Sequence, residues 1–391
     1  MDVTRTMNAL VVGGGMYVIG RGTDSFGTIL PALFEARREG RIGKIAVATT
    51  RAATSGALRD RAHELGHRMG VDGECETYPA EGTDPRAYLT ACEADLAVIS
   101  VPDHLHAEVA IPILERRIPC LLVKPMAPTV AEARAIAEAA ERAGVIGQVE
   151  FHKRLDESNL LLRDKVAGGE LGSLLYAVVE YSQRKTIPQE AFRSWSARTN
   201  IFQYLGVHYV DLIQFVTRFR PRRVTAWGEK EHLASLGIDT WDAIQAVIEW
   251  EKPDGQTFVS AIVTNWIDPA GSSAMSDQKI NVVGTAGRYQ ADQKNRGIQI
   301  VRDEAGIEDV NPYFSAAWVD PSTQTLRFHG YGIRSVNQFI GDVLAWKEDR
   351  ITPEQLETIR PTFRAALTST AVIEAAERSL AGGSKPVDIT P

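Results

Sequence analysis

Short apolar runs punctuate the first 150 residues, with amphipathic stretches between them. Residues 9–12, 45–48, 96–101, 121–123 and 145–149 are rich enough in Val, Ile, Leu and Ala to be buried on both faces. Such runs, separated by helix-length segments, predict a parallel sheet covered by helices on both sides. The stretch 129–143 shows the helical half best: Pro128 precedes it, Ala and Glu fill it, and Gly144 stops it. After about residue 150 the rhythm changes. Residues 174–182, 222–229, 243–250, 257–266 and 279–283 read as longer strands, several with apolar/polar alternation, joined by turns such as that at 252–255. Consecutive strands without intervening helices predict a mostly antiparallel sheet with one solvent or partner face. Helices are expected near 202–216, 335–346 and 353–380. The fold class is α/β: an N-terminal Rossmann-type, doubly wound parallel sheet over residues 1–150, then a C-terminal α+β domain with a large, mostly antiparallel sheet over 151–391.

Composition narrows the class further. The 391 residues carry 43 Lys plus Arg against 50 Asp plus Glu, a net charge of −7 that does not suit non-specific nucleic-acid binding. No apolar stretch approaches the roughly 20 residues that span a bilayer, and residues 1–8 lack a signal-like apolar core. Cys75, Cys92 and Cys120 form no CxxC, which disfavours both a disulfide framework and a thiolate zinc site. A cytoplasmic protein without membrane or nucleic-acid partners is expected.

The chemistry begins at Gly13-Gly14-Gly15, directly after the first buried run. Gly13 suits a tight turn, Gly15 lets the backbone approach a pyrophosphate, and the N–H groups that follow at Met16 and Tyr17 offer donors to the anion. Val18 stands where the usual pattern has a third glycine, and 20–27 is again Gly-rich, so the phosphate loop is read as lengthened, with the helix starting near Leu30 and Pro31 in its first turn. The second strand ends in Thr49-Thr50-Arg51 with no acid to bind a ribose 2′-hydroxyl. Thr50 followed by Arg51 favours NADP over NAD.

Several phrases together resemble the Gfo/Idh/MocA oxidoreductases of sugars and polyols. Ser100-Val-Pro102-Asp-His-Leu-His106 is similar to the family's strand-four turn, Val123-Lys124-Pro125 to its Glu-Lys-Pro, and Gly206-Val-His208-Tyr-Val-Asp211 to its Gly-x-His-x-x-Asp. Residues 283–287 and 375–379 resemble its late turn and terminal helix. The resemblance implies a nicotinamide cofactor on the first domain, with the Ser100–His106 turn beneath the nicotinamide. It implies a sugar-like substrate on the second domain, Lys124 and His208 meeting beside the redox ring, and homodimers or homotetramers through the large sheet.

Oxidising a secondary alcohol needs a proton acceptor and a group that stabilises the developing alkoxide. His208 suits the first, with an unperturbed pKa of about 6.5, and Lys124, at the carboxyl edge of the fifth strand, suits the second. Many family members carry Asp four residues before the His; here it is Tyr204, whose phenol cannot act as a carboxylate at neutral pH but can donate to a substrate oxygen. Asp211, Lys153, Arg184, Asn200 and Gln203 are further candidates for the sugar pocket, each equally readable as structural or solvated. Two other functions stay open on the same glycine loop: transient use of NAD to cleave a glycosidic bond, and non-catalytic dinucleotide sensing. His63-Glu64-Leu-Gly-His67 matches HExxH, but it falls where the second α/β unit needs its helix, and Glu93 is at best a guess for the third ligand, so no metal is expected.

Overall fold

Six short strands pair in parallel in the order β3-β2-β1-β4-β5-β6: β1 (Met7–Val12), β2 (Ile42–Ala48), β3 (Glu76–Tyr78), β4 (Leu96–Ile99), β5 (Cys120–Val123) and β6 (Gly147–Glu150). The computed structural model describes residues 6–23, 25–304 and 306–390. Strand order reverses between β1 and β4, and ligands of open α/β sheets bind outside the carboxyl ends of the strands at such a switch. β4 is buried along its whole length, as its unbroken Leu-Ala-Val-Ile requires.

The helix Ile29–Arg38 follows the glycine loop, with Pro31 in its first turn as expected, and buries every residue from Ile29 to Ala36. Much of its cover comes from far along the chain. Residues 1–127, 131–155 and 313–366 form one compact unit; 128–130, 156–312 and 367–391 form the other. A break at residue 150 places 313–366 in the second half, whereas they return to the first unit. The cause is the helix Tyr331–Lys347, whose Ile333, Val336, Phe339, Ile340 and Val343 make an apolar stripe in one core with Leu30, Leu33 and Phe34. The stripe is legible in the sequence; which core it joins is not.

The final helix also departs from expectation. Instead of one element over 353–380 there are two, Pro353–Ile359 and Phe363–Ala381. Pro361 forces Arg360 out of helical geometry, to φ −118° and ψ 159°, and the freed Pro361 carbonyl accepts from Val149 N at 2.8 Å.

In the second unit β7 (Leu174–Arg184), β8 (Arg220–Glu229), β9 (Ala243–Glu251), β10 (Thr257–Asp268), β11 (Ser276–Gly284) and β12 (Arg288–Asp292) form a sheet in the order β12-β11-β7-β10-β9-β8, with Val387–Asp388 beyond β8. Only β7 and β10 run parallel. Leu162 of the helix Glu157–Ala167 and Leu212, Ile213 and Val216 of the helix Val207–Thr217 meet Ala177, Phe258, Ile280 and Val282 on one face. On the same buried side, Trp250 donates to Ser260 Oγ and Trp266 to Gln183 Oε1, both at 2.8 Å. Tyr176, Trp227 and Val263 are exposed. The hairpins Gln299–Arg302/Gly306–Asp309 and Ala316–Val319/Leu326–His329 are too short and mixed in pattern to stand out in the sequence. No helix among the described residues is long and apolar enough to cross a membrane.

Candidate active site

At the end of β1 the chain turns through three glycines into a single helical turn, Met16–Ile19. Gly13 has φ +122°, and a Cβ there would sit 2.0 Å from the Ser100 carbonyl oxygen. Its N–H donates to Ala48 O, and Ser100 N donates to Val12 O, each at 2.8 Å. Gly13 and Ser100 therefore bring the ends of β1, β2 and β4 together backbone to backbone, a closeness that only glycine permits. Gly15 differs: φ is −88°, and nothing lies within 4 Å of where its Cβ would be. The cradle fits a dinucleotide phosphate, which needs open space beside an uncovered backbone.

The lengthened loop that follows is pinned rather than free. Phe26 is buried, with the Arg61 guanidinium 4.1 Å and that of Arg68 5.1 Å from its ring centroid, and Arg61 donates to Ser25 O at 2.9 Å. Thr50 and Arg51 are exposed at the start of the helix Ala52–Met69, where Arg51 holds the N-cap position. His63 and His67 lie exposed farther along this helix, and among the described residues no three His, Cys, Asp or Glu side chains gather as a metal site.

Lys124 follows β5 and is 8% exposed. Burial pushes its ammonium down from 10.5 to about 7, against the opposing charges of Asp103 and Glu150. Pro102 leads into the turn Asp103–Leu105, where Asp103 is buried and accepts from His104 N at 2.9 Å. His106 is almost wholly enclosed. Its Nδ1 lies 2.8 Å from Pro125 O and its Nε2 3.0 Å from Val101 O, so the ring braces the turns after β4 and β5 against each other. Desolvation lowers its pKa, opposed by Asp103 and by the Val101, Met126 and Pro125 carbonyls.

At the end of β6 stands a group that the sequence reading did not single out. Glu150 is 1% exposed, and its carboxylate accepts from the Tyr17 hydroxyl at 3.1 Å and lies 3.0 Å from His152 Nδ1. The His152 ring packs 5.0 Å from Phe314 and 5.7 Å from Tyr331, both on the returning segment. Lys153, next along the short 3₁₀ turn His152–Leu155, is buried. The available signal was an acid closing an otherwise apolar buried run.

In the second unit His208 and Asp211 are both buried on the helix Val207–Thr217. Before it comes a π-helical turn, Phe202–Gly206, so the four-residue step from Tyr204 to His208 crosses a junction of two helix types rather than one α-turn. Turns of this kind recur at functional sites. Asn200 and Gln203, both buried, build this entry: Asn200 Oδ1 accepts from Gln203 N at 2.8 Å, and its amide donates to Glu377 Oε2 at 2.7 Å. Burial raises the Glu377 pKa. The Tyr204 ring lies 5.2 Å from Phe192, 6.1 Å from Trp195 and 5.7 Å from Trp266, an aromatic surround with no periodic signature. Arg184, at the end of β7, donates to the Ser272 carbonyl.

Of the expected site residues, Gly13, Gly15, Met16, Tyr17, Thr50, Arg51, Ser100, Pro102, His106, Lys124 and Lys153 lie in the first unit. Arg184, Asn200, Gln203, Tyr204, His208 and Asp211 lie in the second.

Two family models match the chain: an oxidoreductase family with an NAD-binding Rossmann fold over residues 42–151, and the GFO/IDH/MocA C-terminal domain over 160–290. The rhizopine catabolism protein MocA of Rhizobium meliloti is 27% identical over 64% of this chain and 75% of its own length. Among solved structures, GenD2 from gentamicin A biosynthesis, in complex with NAD, superimposes with a TM-score of 0.70 at 21% identity, over 100% of this chain and 98% of that one. Myo-inositol 2-dehydrogenase from Lactobacillus plantarum gives 0.69 at 18% identity, over 99% and 100%. At those identities the likeness shows the fold.

Proposed function

Taking as premise that the chain belongs to the Gfo/Idh/MocA family of oxidoreductases with an NAD-binding Rossmann domain, we propose that it oxidises a secondary hydroxyl, or reduces the corresponding ketone, of a sugar, inositol or sugar derivative. The nicotinamide, when bound, exchanges the hydride. The chain supplies the rest. The open backbone at Gly15, with Met16 and Tyr17 after it, holds the pyrophosphate, and the turn Ser100–His106 supports the nicotinamide side. Exposed Arg51, with no acid beside it, takes a 2′-phosphate and favours NADP, although GenD2 was solved with NAD. His208 takes the hydroxyl proton, and the Lys124 ammonium stabilises the alkoxide. Tyr204 donates to a neighbouring sugar oxygen, and Lys153, Arg184, Asn200, Gln203 and Asp211 shape the pocket. Subunits pair through the exposed sheet face that carries Tyr176, Trp227 and Val263.

The observation that carries this reading is Lys124, a buried lysine poised at about 7 at the carboxyl edge of a nucleotide-binding sheet. MocA, myo-inositol 2-dehydrogenase and D-glucoside 3-dehydrogenase are among the chain's relatives by name, which sets the substrates to try. The test is a panel of sugars and inositols with NAD⁺ and NADP⁺, followed by absorbance of the reduced nucleotide. Net reduction, lost at least about tenfold in Lys124→Ala with nucleotide affinity retained, is the expected result. Product release without net reduction would instead assign glycosidic-bond cleavage, and nucleotide binding without turnover a sensor.

A further inference from the structure

The ends of β5 and β6 put two charged side chains into one buried neighbourhood. Val123 and Glu150 are in-register partners across the parallel pair, so Glu150 closes β6 beside the residue that precedes Lys124. Both charged groups are enclosed, at 1% and 8% exposure. The groups acting on Lys124 come from two elements: Asp103 from the turn after β4, itself beside His104 and His106, and Glu150 from β6. Glu150 in turn is held from both sides, by the Tyr17 hydroxyl at 3.1 Å and His152 Nδ1 at 3.0 Å, behind the Phe314 and Tyr331 rings. A buried carboxylate is stable only when paired and hydrogen-bonded, and these contacts fix its place rather than leave it to swing to solvent.

We infer that Glu150 is a positioning residue for Lys124: its carboxylate, fixed by Tyr17 and His152, holds the charged form of the lysine in place for the reaction. The inference rests on the proposed role of Lys124 and goes beyond it, because nothing in the Val-Lys-Pro segment itself supplies an acid. No atom of Glu150 need touch substrate. Its negative charge offsets part of the desolvation that burial imposes on the ammonium.

The experiment follows the lysine directly. Protein labelled with ¹³C-lysine, with Lys124 assigned through Lys124→Arg, gives its titration midpoint by NMR without any substrate. Glu150→Gln keeps the shape and removes the charge; the midpoint is expected to fall by about one pH unit or more, the effect of one charge within about 12 Å at an effective dielectric near 20. The pH profile of kcat should move in the same direction, with nucleotide affinity unchanged. An unmoved Lys124 midpoint overturns the inference even if activity drops. Should Glu150→Gln not fold, the double variant V123E/E150Q, which returns the acid at the in-register position, serves in its place. Recovery of folding and of the wild-type midpoint supports the assignment; a folded protein with the lowered midpoint, or failure of the double variant also to fold, overturns it. A wild-type enzyme inactive on every polyol would sink the proposed reaction while leaving the NMR result to decide this assignment by itself.

Discussion

The Tyr17 hydroxyl and the Glu150 carboxylate lie 3.1 Å apart, joining the turn after β1 to the end of β6. In the sheet, β4 and β5 stand between those two strands, so the bond arches over the carboxyl edge where the residues proposed to bind the nucleotide collect. It commits the Tyr17 hydroxyl to the protein, while the Tyr17 carbonyl accepts from Thr28 N at 2.8 Å.

Removing the hydroxyl tests this arch. Tyr17→Phe keeps the ring beside Phe314 but takes one donor from a buried carboxylate, a loss worth about 1.5–3 kcal/mol for a hydrogen bond to a charged group. Urea denaturation should show that decrease with an unchanged m-value. A midpoint equal to wild type would mean that the bond adds nothing to the fold.

Two of the three loop glycines should separate folding from binding. Gly13→Ala drives a Cβ into the Ser100 carbonyl at a φ that L-residues avoid; it should cost several kcal/mol or prevent folding. Gly15→Ala meets nothing within 4 Å, so it should melt like wild type yet bind nucleotide at least about tenfold more weakly, because a methyl group occupies the approach to the phosphate. Calorimetric melting beside nucleotide titration distinguishes the two. Equal nucleotide affinity in Gly15→Ala would remove this loop from the cofactor site.

The parallel sheet, the glycine turn and Lys124 at a strand end were legible because each leaves a local mark: a buried apolar run, a glycine cluster, a charge closing a strand. The cluster around Glu150 was not. It depends on strands that pair across intervening segments and on Phe314 and Tyr331, which arrive more than 160 residues later and return to the first unit. Pro361 announced its break plainly, and only the long apolar periodicity around it argued for one helix. The π-turn before His208 carries no periodic signature at all, since its residues, Gln203 among them, are buried or half-buried on every side.

Arg51 offers a test of nucleotide choice. It is exposed at the start of its helix, so Arg51→Ala should leave stability within about 0.5 kcal/mol and move preference from NADP toward NAD. Comparing the two dissociation constants before and after decides the matter. An unchanged ratio would show that the guanidinium contacts no 2′-phosphate.

Sheet register defines the surface through which subunits should pair. Thr225, Val247, Ala261 and Val178 lie side by side across β8, β9, β10 and β7, in the same face as exposed Trp227, Val263 and Tyr176. A long charged side chain in that row blocks close packing of a second sheet against it. Ala261→Arg should therefore convert the oligomer to monomer in light scattering while circular dichroism stays unchanged. A wild-type protein that is already monomeric at micromolar concentration would refute the pairing.

Lys124 should also weaken the fold it serves. Its pKa is lowered from 10.5 in the open chain to about 7 in the folded state, so between those values the unfolded chain binds more protons and stability rises with pH. Below about 7 the cost of enclosing the lysine is felt in full; above 10.5 it disappears. Lys124→Met, close in volume and unable to ionise, should then be more stable than wild type at pH 7, by an amount on the order of a few kcal/mol, with the advantage shrinking as pH approaches 10. Urea unfolding of both proteins at pH 6, 7, 8.5 and 10 measures the trend. A constant difference across the series would mean that burial does not shift the titration of the lysine, and the poise of Lys124 near neutrality, on which the proposed function rests, would fall with that result.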